Sequence, residues 1–194
     1  MRSPVADLLG DLAATLEELD VPWYLFGARA AILHGAARLT ADVDITVRLP
    51  GQLSAAALVQ ALERGGFRSR GATAGFVERT RVIPVVHTPS SLPVDIVLAG
   101  PGLEDQFFER VVVRHVDQVR IPVASAEDIA IMKVLAGRPK DLEDVVAVAA
   151  SHDDSFDVAY IRRTLAQVEE ALGQSDLIPA FEDALARSRR RGRE

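Results

Sequence analysis

Arg38-Leu39-Thr40-Ala41-Asp42-Val43-Asp44-Ile45-Thr46-Val47 is the stretch on which the reading of this chain turns. Its second half alternates, with Asp42, Asp44 and Thr46 on one side and Val43, Ile45 and Val47 on the other. β-branched residues at a period of two predict a strand with one apolar face, over about residues 42–48. Residues two apart in a strand point the same way, so the two carboxylates project side by side. Like charges this close repel and resist dehydration, and Asp is poorly suited to a strand interior. A divalent cation relieves both problems. Hard cations such as Mg²⁺ take oxygen ligands, commonly one or two carboxylates together with substrate phosphates. An edge strand with a solvated acidic face is the bland alternative, and the two acids alone do not decide between them.

Working outward toward the N-terminus, Leu8, Leu9, Leu12, Leu16 and Leu19 recur at helical spacing and predict an amphipathic helix over residues 5–20. Val21-Pro22 breaks it, and Trp23-Tyr-Leu-Phe26 reads as a short buried strand. Gly27 ends that strand, Ala28 to His34 has helix-forming composition, and Gly35 closes it. A strand–Gly–helix junction presents backbone N–H groups suited to an anion such as phosphate, although one Gly is weak evidence. Toward the C-terminus, Ser54 starts a helix through Leu62. Residues 67–70 and 76–87 read as strands, the second interrupted by Pro84, which predicts an edge or a bulge. Pro93 to Leu98 is a further strand with a single acid, Asp95. A short helix at 103–109 and strands at 111–115 and 119–123 follow. From Ser125 the pattern is helical: to about Ala136, then 141–150, 157–172 and 178–187. The predicted class is α+β: a mixed sheet flanked by helices over residues 1–124, followed by a C-terminal helical lobe over 125–194.

Composition narrows the function classes. With 48% hydrophobic and 26% charged residues over 194 positions, the chain can build a packed core. Cysteine is absent, which removes disulfides, thiolate metal sites and a Cys nucleophile. No apolar run reaches membrane-spanning length, so a soluble cytoplasmic protein is the expectation. Net charge is −6, yet Arg187 to Glu194 holds five Arg against one Glu. That tail is either an electrostatic handle for nucleic acid or a solubilising terminus, and the second reading is preferred.

The ordered set Phe26-Gly27, Asp42-x-Asp44 and Asp95 is more specific than its parts. If the two strands are neighbours, three carboxylates converge, as a two-metal phosphoryl-transfer site requires. The set resembles the nucleotidyltransferase superfamily that shares the DNA polymerase β fold. The resemblance implies that Asp42, Asp44 and Asp95 hold two Mg²⁺ (or Mn²⁺) ions carrying a nucleoside triphosphate. It implies further that Asp95 helps activate the acceptor hydroxyl and that the Gly27 turn holds the triphosphate. The family turn is Gly-Gly or Gly-Ser; here it is Gly27-Ala28, which lacks the hydroxyl, and Arg29 is the residue that could compensate.

A narrower resemblance covers most of the chain. Gly27-Ala-x-Ala-x-x-x-His34-Gly35, Arg38-x-Thr-x-Asp-x-Asp44 and Lys133-x-x-Ala-Gly-Arg138-x-Lys-Asp141-x-x-Asp144 look like AbiEii/MenT-type nucleotidyltransferase toxins. That likeness implies a phosphate-side catalytic cation at Lys133, a following site acid at Asp141 or Asp144, a tRNA 3′ end as acceptor and a cognate antitoxin as partner. From the residues alone, Lys133 is the one charge between Asp128 and Arg138 and either snorkels or faces an anion. Asp141 and Asp144 also suit a helix start as first-turn acids. Arg38 contacts a phosphate or pairs with a metal acid, and His34 reads as a satisfied structural residue. Two other readings stand beside the toxin: a nucleotidyltransferase acting on a small molecule of the aminoglycoside kind, and a non-catalytic nucleotide- or partner-binding member, which Ala28 favours.

Overall fold

A computed structural model describes residues 2–71, 73–152 and 155–191. The described residues form two compact units. The first comprises those up to Arg29 and from Thr40 to Ala124; the second comprises Ala30–Leu39 and those from Ser125 onward.

The first unit is built on a mixed seven-stranded sheet: β1 (Trp23–Phe26), β2 (Val43–Val47), β3 (Phe67–Ser69), β4 (Val82–His87), β5 (Pro93–Leu98), β6 (Val112–Val116) and β7 (Val119–Val123). Their order across the sheet is β3-β4-β5-β2-β1-β7-β6. β2 runs antiparallel to β1 and parallel to β5. The acidic strand is therefore central, which overturns the edge-strand alternative. Val43, Ile45 and Val47 are fully buried, as their alternation predicts, while Asp44 is half-buried. Asp42 falls one residue before the strand and is exposed.

Helix α1 (Pro4–Glu18) packs against β7 and α3 (Ala55–Arg64). Its N-cap is Ser3, with Pro4 entering the first turn, and Leu8, Leu9, Leu12 and Leu16 supply its buried stripe. Helix α4 (Ala74–Thr80) corrects the expected strand from residue 76. Thr73 accepts a hydrogen bond from the Phe76 N–H, and Arg81 closes the turn at φ +56°. These two caps outweigh a β-prone composition. Pro84 is also not at an edge, because β4 lies between β3 and β5. Its carbonyl accepts from the Arg70 N–H at 2.9 Å, on the side where β3 has just ended. The N–H that proline lacks would point the same way, so the β4–β5 ladder loses nothing. Helix α5 (Leu103–Glu109) completes this unit.

Helix α2 (Gly27–Leu33) begins in the first unit and ends in the second. The second unit also holds α6 (Ala126–Ala136), α7 (Pro139–His152), α8 (Val158–Leu172) and α9 (Leu177–Arg191). Ser125 caps α6 through the Asp128 N–H, and Gly137 ends it at φ +63°. α6 is buried on nearly every side, Glu127, Asp128 and Lys133 included. α7 packs on α6 and α9, and α8 on the same two helices. In the basic tail, Arg187 pairs with Glu143 and Asp183, and Arg191 with Glu143; Gly192, Arg193 and Glu194 lie outside the described residues. Among the described residues no helix is long and apolar enough to cross a membrane.

Candidate active site

The sheet registers assemble the acids that the sequence separates by half a hundred positions. Asp44 pairs with Phe26 in the β1–β2 ladder and with Asp95 in the β2–β5 ladder. Residues opposite one another in adjacent strands share a face, so the Asp44 and Asp95 side chains stand on the same side of the sheet. Gly27 follows Phe26 directly and adopts φ +70°. A Cβ placed there would lie 2.2 Å from Asp44 Oδ2. Only glycine lets this turn press against the carboxylate.

Two arginines serve the acids. Arg29 donates from Nη2 to the Thr40 carbonyl at 2.8 Å. Burial lowers its pKa from the ordinary guanidinium value, while Asp42 and Asp44 act in the opposite direction. Its Nε is buried without a hydrogen-bond partner among the described residues. The Asp42 N–H donates to Thr40 Oγ1 at 3.2 Å, which ties the approach to β2 to the same threonine. Arg70, at the end of β3, forms an ion pair with Asp95. Sequence reading missed Arg70, because nothing local distinguishes it from other exposed arginines.

The donor set suits a hard divalent cation: oxygen only, with two carboxylates brought together by strand register and a glycine cradle that a Cβ would fill. Among the described residues, however, no three acidic or imidazole side chains are gathered closely enough to hold a metal as they stand. Asp42 lies one residue before the strand, and Asp95 is paired with Arg70.

In the second unit the expected residues form a buried ionic network. Lys133 Nζ lies 2.8 Å from Asp141 Oδ1 and 2.7 Å from Asp144 Oδ2. Arg38 Nη1 reaches the same Asp144 oxygen at 2.6 Å, and Arg138 Nε pairs with the other Asp141 oxygen. Lys133 thus faces anions, and those anions are Asp141 and Asp144. Arg38 pairs with Asp144, not with a metal acid. Burial works against ionising Asp141, but hydrogen bonds from Arg138 and Lys133 outweigh it and hold its pKa below the ordinary carboxylate value. His34 is 3% exposed, with Nδ1 3.3 Å from His152 Nε2. His152 Nδ1 donates to the Val148 carbonyl at 2.9 Å.

The fold is similar to that of an antigenic nucleotidyltransferase-like protein from Paracoccidioides brasiliensis, with a TM-score of 0.60 and 16% identity over 92% of each chain. It is also similar to the antibiotic-resistance factor ANT(2'')-Ia, with a TM-score of 0.62 and 16% identity over 89% of this chain and 97% of that one. ANT(2'')-Ia in complex with adenylyl-2''-tobramycin gives a TM-score of 0.57 and 16% identity over 85% and 98%. No curated protein matches the sequence. These likenesses carry the fold; the narrower likeness to toxins rests on the sequence motifs alone. A family model described as nucleotidyltransferase of unknown function (DUF6036) matches residues 6–183, and the chain belongs to that family of nucleotidyltransferases.

Proposed function

We propose that this protein moves a nucleoside monophosphate from a nucleoside triphosphate to an acceptor hydroxyl and releases pyrophosphate. The observation that carries this reading is the register of Asp44 opposite Asp95, with the Gly27 turn pressed on the Asp44 carboxylate. Asp42, Asp44 and Asp95 would hold the metal. Bound to them, Mg²⁺ or Mn²⁺ supplies Lewis-acid polarisation of the phosphoryl oxygens and neutralises charge at the transferring phosphorus. The turn at Gly27 and Ala28 receives the triphosphate. Arg29, anchored by Thr40, supplies the charge that a family hydroxyl at position 28 would have helped to place. Asp95 takes the proton of the attacking hydroxyl. Resemblance puts the phosphate-side cation at Lys133. Its two carboxylate partners favour a structural role there, with Arg38 and Asp144 bracing the same network, so we place that cation on Arg29.

For the acceptor, the motifs shared with toxins favour a tRNA 3′ end, with an antitoxin as protein partner and the cytoplasm as the place of action. A second reading, a small-molecule hydroxyl, is favoured by the fold likeness to ANT(2'')-Ia over nearly the whole of both chains. Incubation with each labelled triphosphate, Mg²⁺, total RNA and a panel of aminoglycosides separates the two. Label on RNA that disappears in Asp44→Asn supports the first reading, and label confined to an aminoglycoside supports the second. No transfer to any acceptor, with triphosphate binding retained in calorimetry, identifies a non-catalytic member and ends both.

A further inference from the structure

We propose that Arg70 is a positioning residue of the candidate site: it holds Asp95 in the absence of a cation and turns to the donor's phosphates once one is bound. The inference rests on the metal-dependent reading above and adds a residue to it. Arg70 is fixed by its backbone, not by its side chain. Its N–H donates to the Pro84 carbonyl at 2.9 Å, and Pro84 is the register partner of Asp95 in the β4–β5 ladder. The guanidinium therefore reaches Asp95 across one strand and can leave it without moving the chain.

The ion pair is half-exposed, with Arg70 39% and Asp95 43% accessible. Pairs this open are worth little and exchange readily, whereas a divalent cation concentrates twice the charge on the same oxygens. Arg70 lies just past the end of β3 and its side chain is 39% accessible, so its release leaves the sheet core intact. When a cation takes Asp95, the released guanidinium is a bidentate donor at the end of β3, suited to a triphosphate oxygen.

The test is titration with Mn²⁺, followed by electron paramagnetic resonance without nucleotide, together with steady-state kinetics. The proteins are wild type, Arg70→Gln, Arg70→Lys and Asp95→Asn. Arg70→Gln should bind Mn²⁺ about two- to fivefold more tightly, the size of a half-exposed pair. It should also raise the KM for the triphosphate by about tenfold, the loss of one charge-assisted hydrogen bond. Arg70→Lys should fall between the two on both measures. Opposite signs for metal and nucleotide are what a merely structural arginine would not produce. Unchanged or weaker Mn²⁺ binding in Arg70→Gln, where Asp95→Asn does weaken it, overturns this inference alone. A wild type that binds no Mn²⁺, with or without triphosphate, overturns the metal reading and this inference together.

Discussion

Two groups of paired carboxylates, one on the sheet and one among the helices, live under opposite conditions. On the sheet, Asp95 pairs with Arg70 at roughly two-fifths exposure, and Asp42 is open to solvent. In the helical unit, Asp141 is 0% exposed and Asp144 and Lys133 are 5% exposed. The ingredients are the same, and the dielectric is not. Exposed pairs are screened and exchangeable, so they can yield to a substrate. Buried charges can be kept only by partners that never leave, because an orphaned charge there costs several kcal/mol. The contrast agrees with the proposal that chemistry belongs to the sheet and bracing to the helices.

The sharpest attack on that division is Asp44→Asn. It should reduce nucleotidyl transfer on the order of 10³-fold or more, since a bound metal contributes several kcal/mol to the transition state. Stability should change by less than about 1 kcal/mol, as for other substitutions outside a packed core. Parallel rate and urea-denaturation measurements check both halves, and a large loss of stability would break the comparison. The converse is Lys133→Met. Removing the central cation leaves two buried carboxylates facing each other and should cost about 3–5 kcal/mol of stability. A variant that unfolds at the wild-type urea midpoint but loses transfer would return Lys133 to the catalytic set.

Gly27→Ala tests the junction itself. The positive φ there, and the Asp44 carboxylate standing where a methyl group would go, require strain or displacement, worth about 1–3 kcal/mol. The loss should fall on Mn²⁺ affinity more than on folding, which titration and thermal denaturation separate. The smallest effect is on acid stability. Asp141 has a depressed pKa in the folded chain, so its stabilisation is present above the unfolded value of about 3.9 and is lost as pH falls through the folded value. Below about pH 4, the stability gap between wild type and Asp141→Asn should therefore narrow. A gap that stays constant from about pH 5 down through this range would mean that the buried network does not set the acid limit.

Local pattern was enough to read much of this protein from residues alone. Alternation in Asp42–Val47 marked a strand, helical leucine spacing marked α1, and Ser54 and Ser125 marked helix starts. Gly27, Asp44 and Asp95 stood out as a candidate set because glycine at a strand end and Asp within strands break local preferences, and the fold brings the three together. What local pattern could not supply was non-local. Whether β2 and β5 are neighbours, and which residue stands opposite Asp44, depends on strand order and register, which no short window encodes. The same limit hid Arg70, whose meaning comes from an acid 25 positions away. It also left Lys133 ambiguous, since its partners follow it by 8 and 11 residues across a turn. The helix at Ala74–Thr80 went unread because two capping interactions, not side-chain periodicity, hold it. Sequence determined which side chains were available, through periodicities set by the backbone of each element. Tertiary structure decided which charges met and how much water they kept, because pairing and burial belong to segments that come together only when the chain folds.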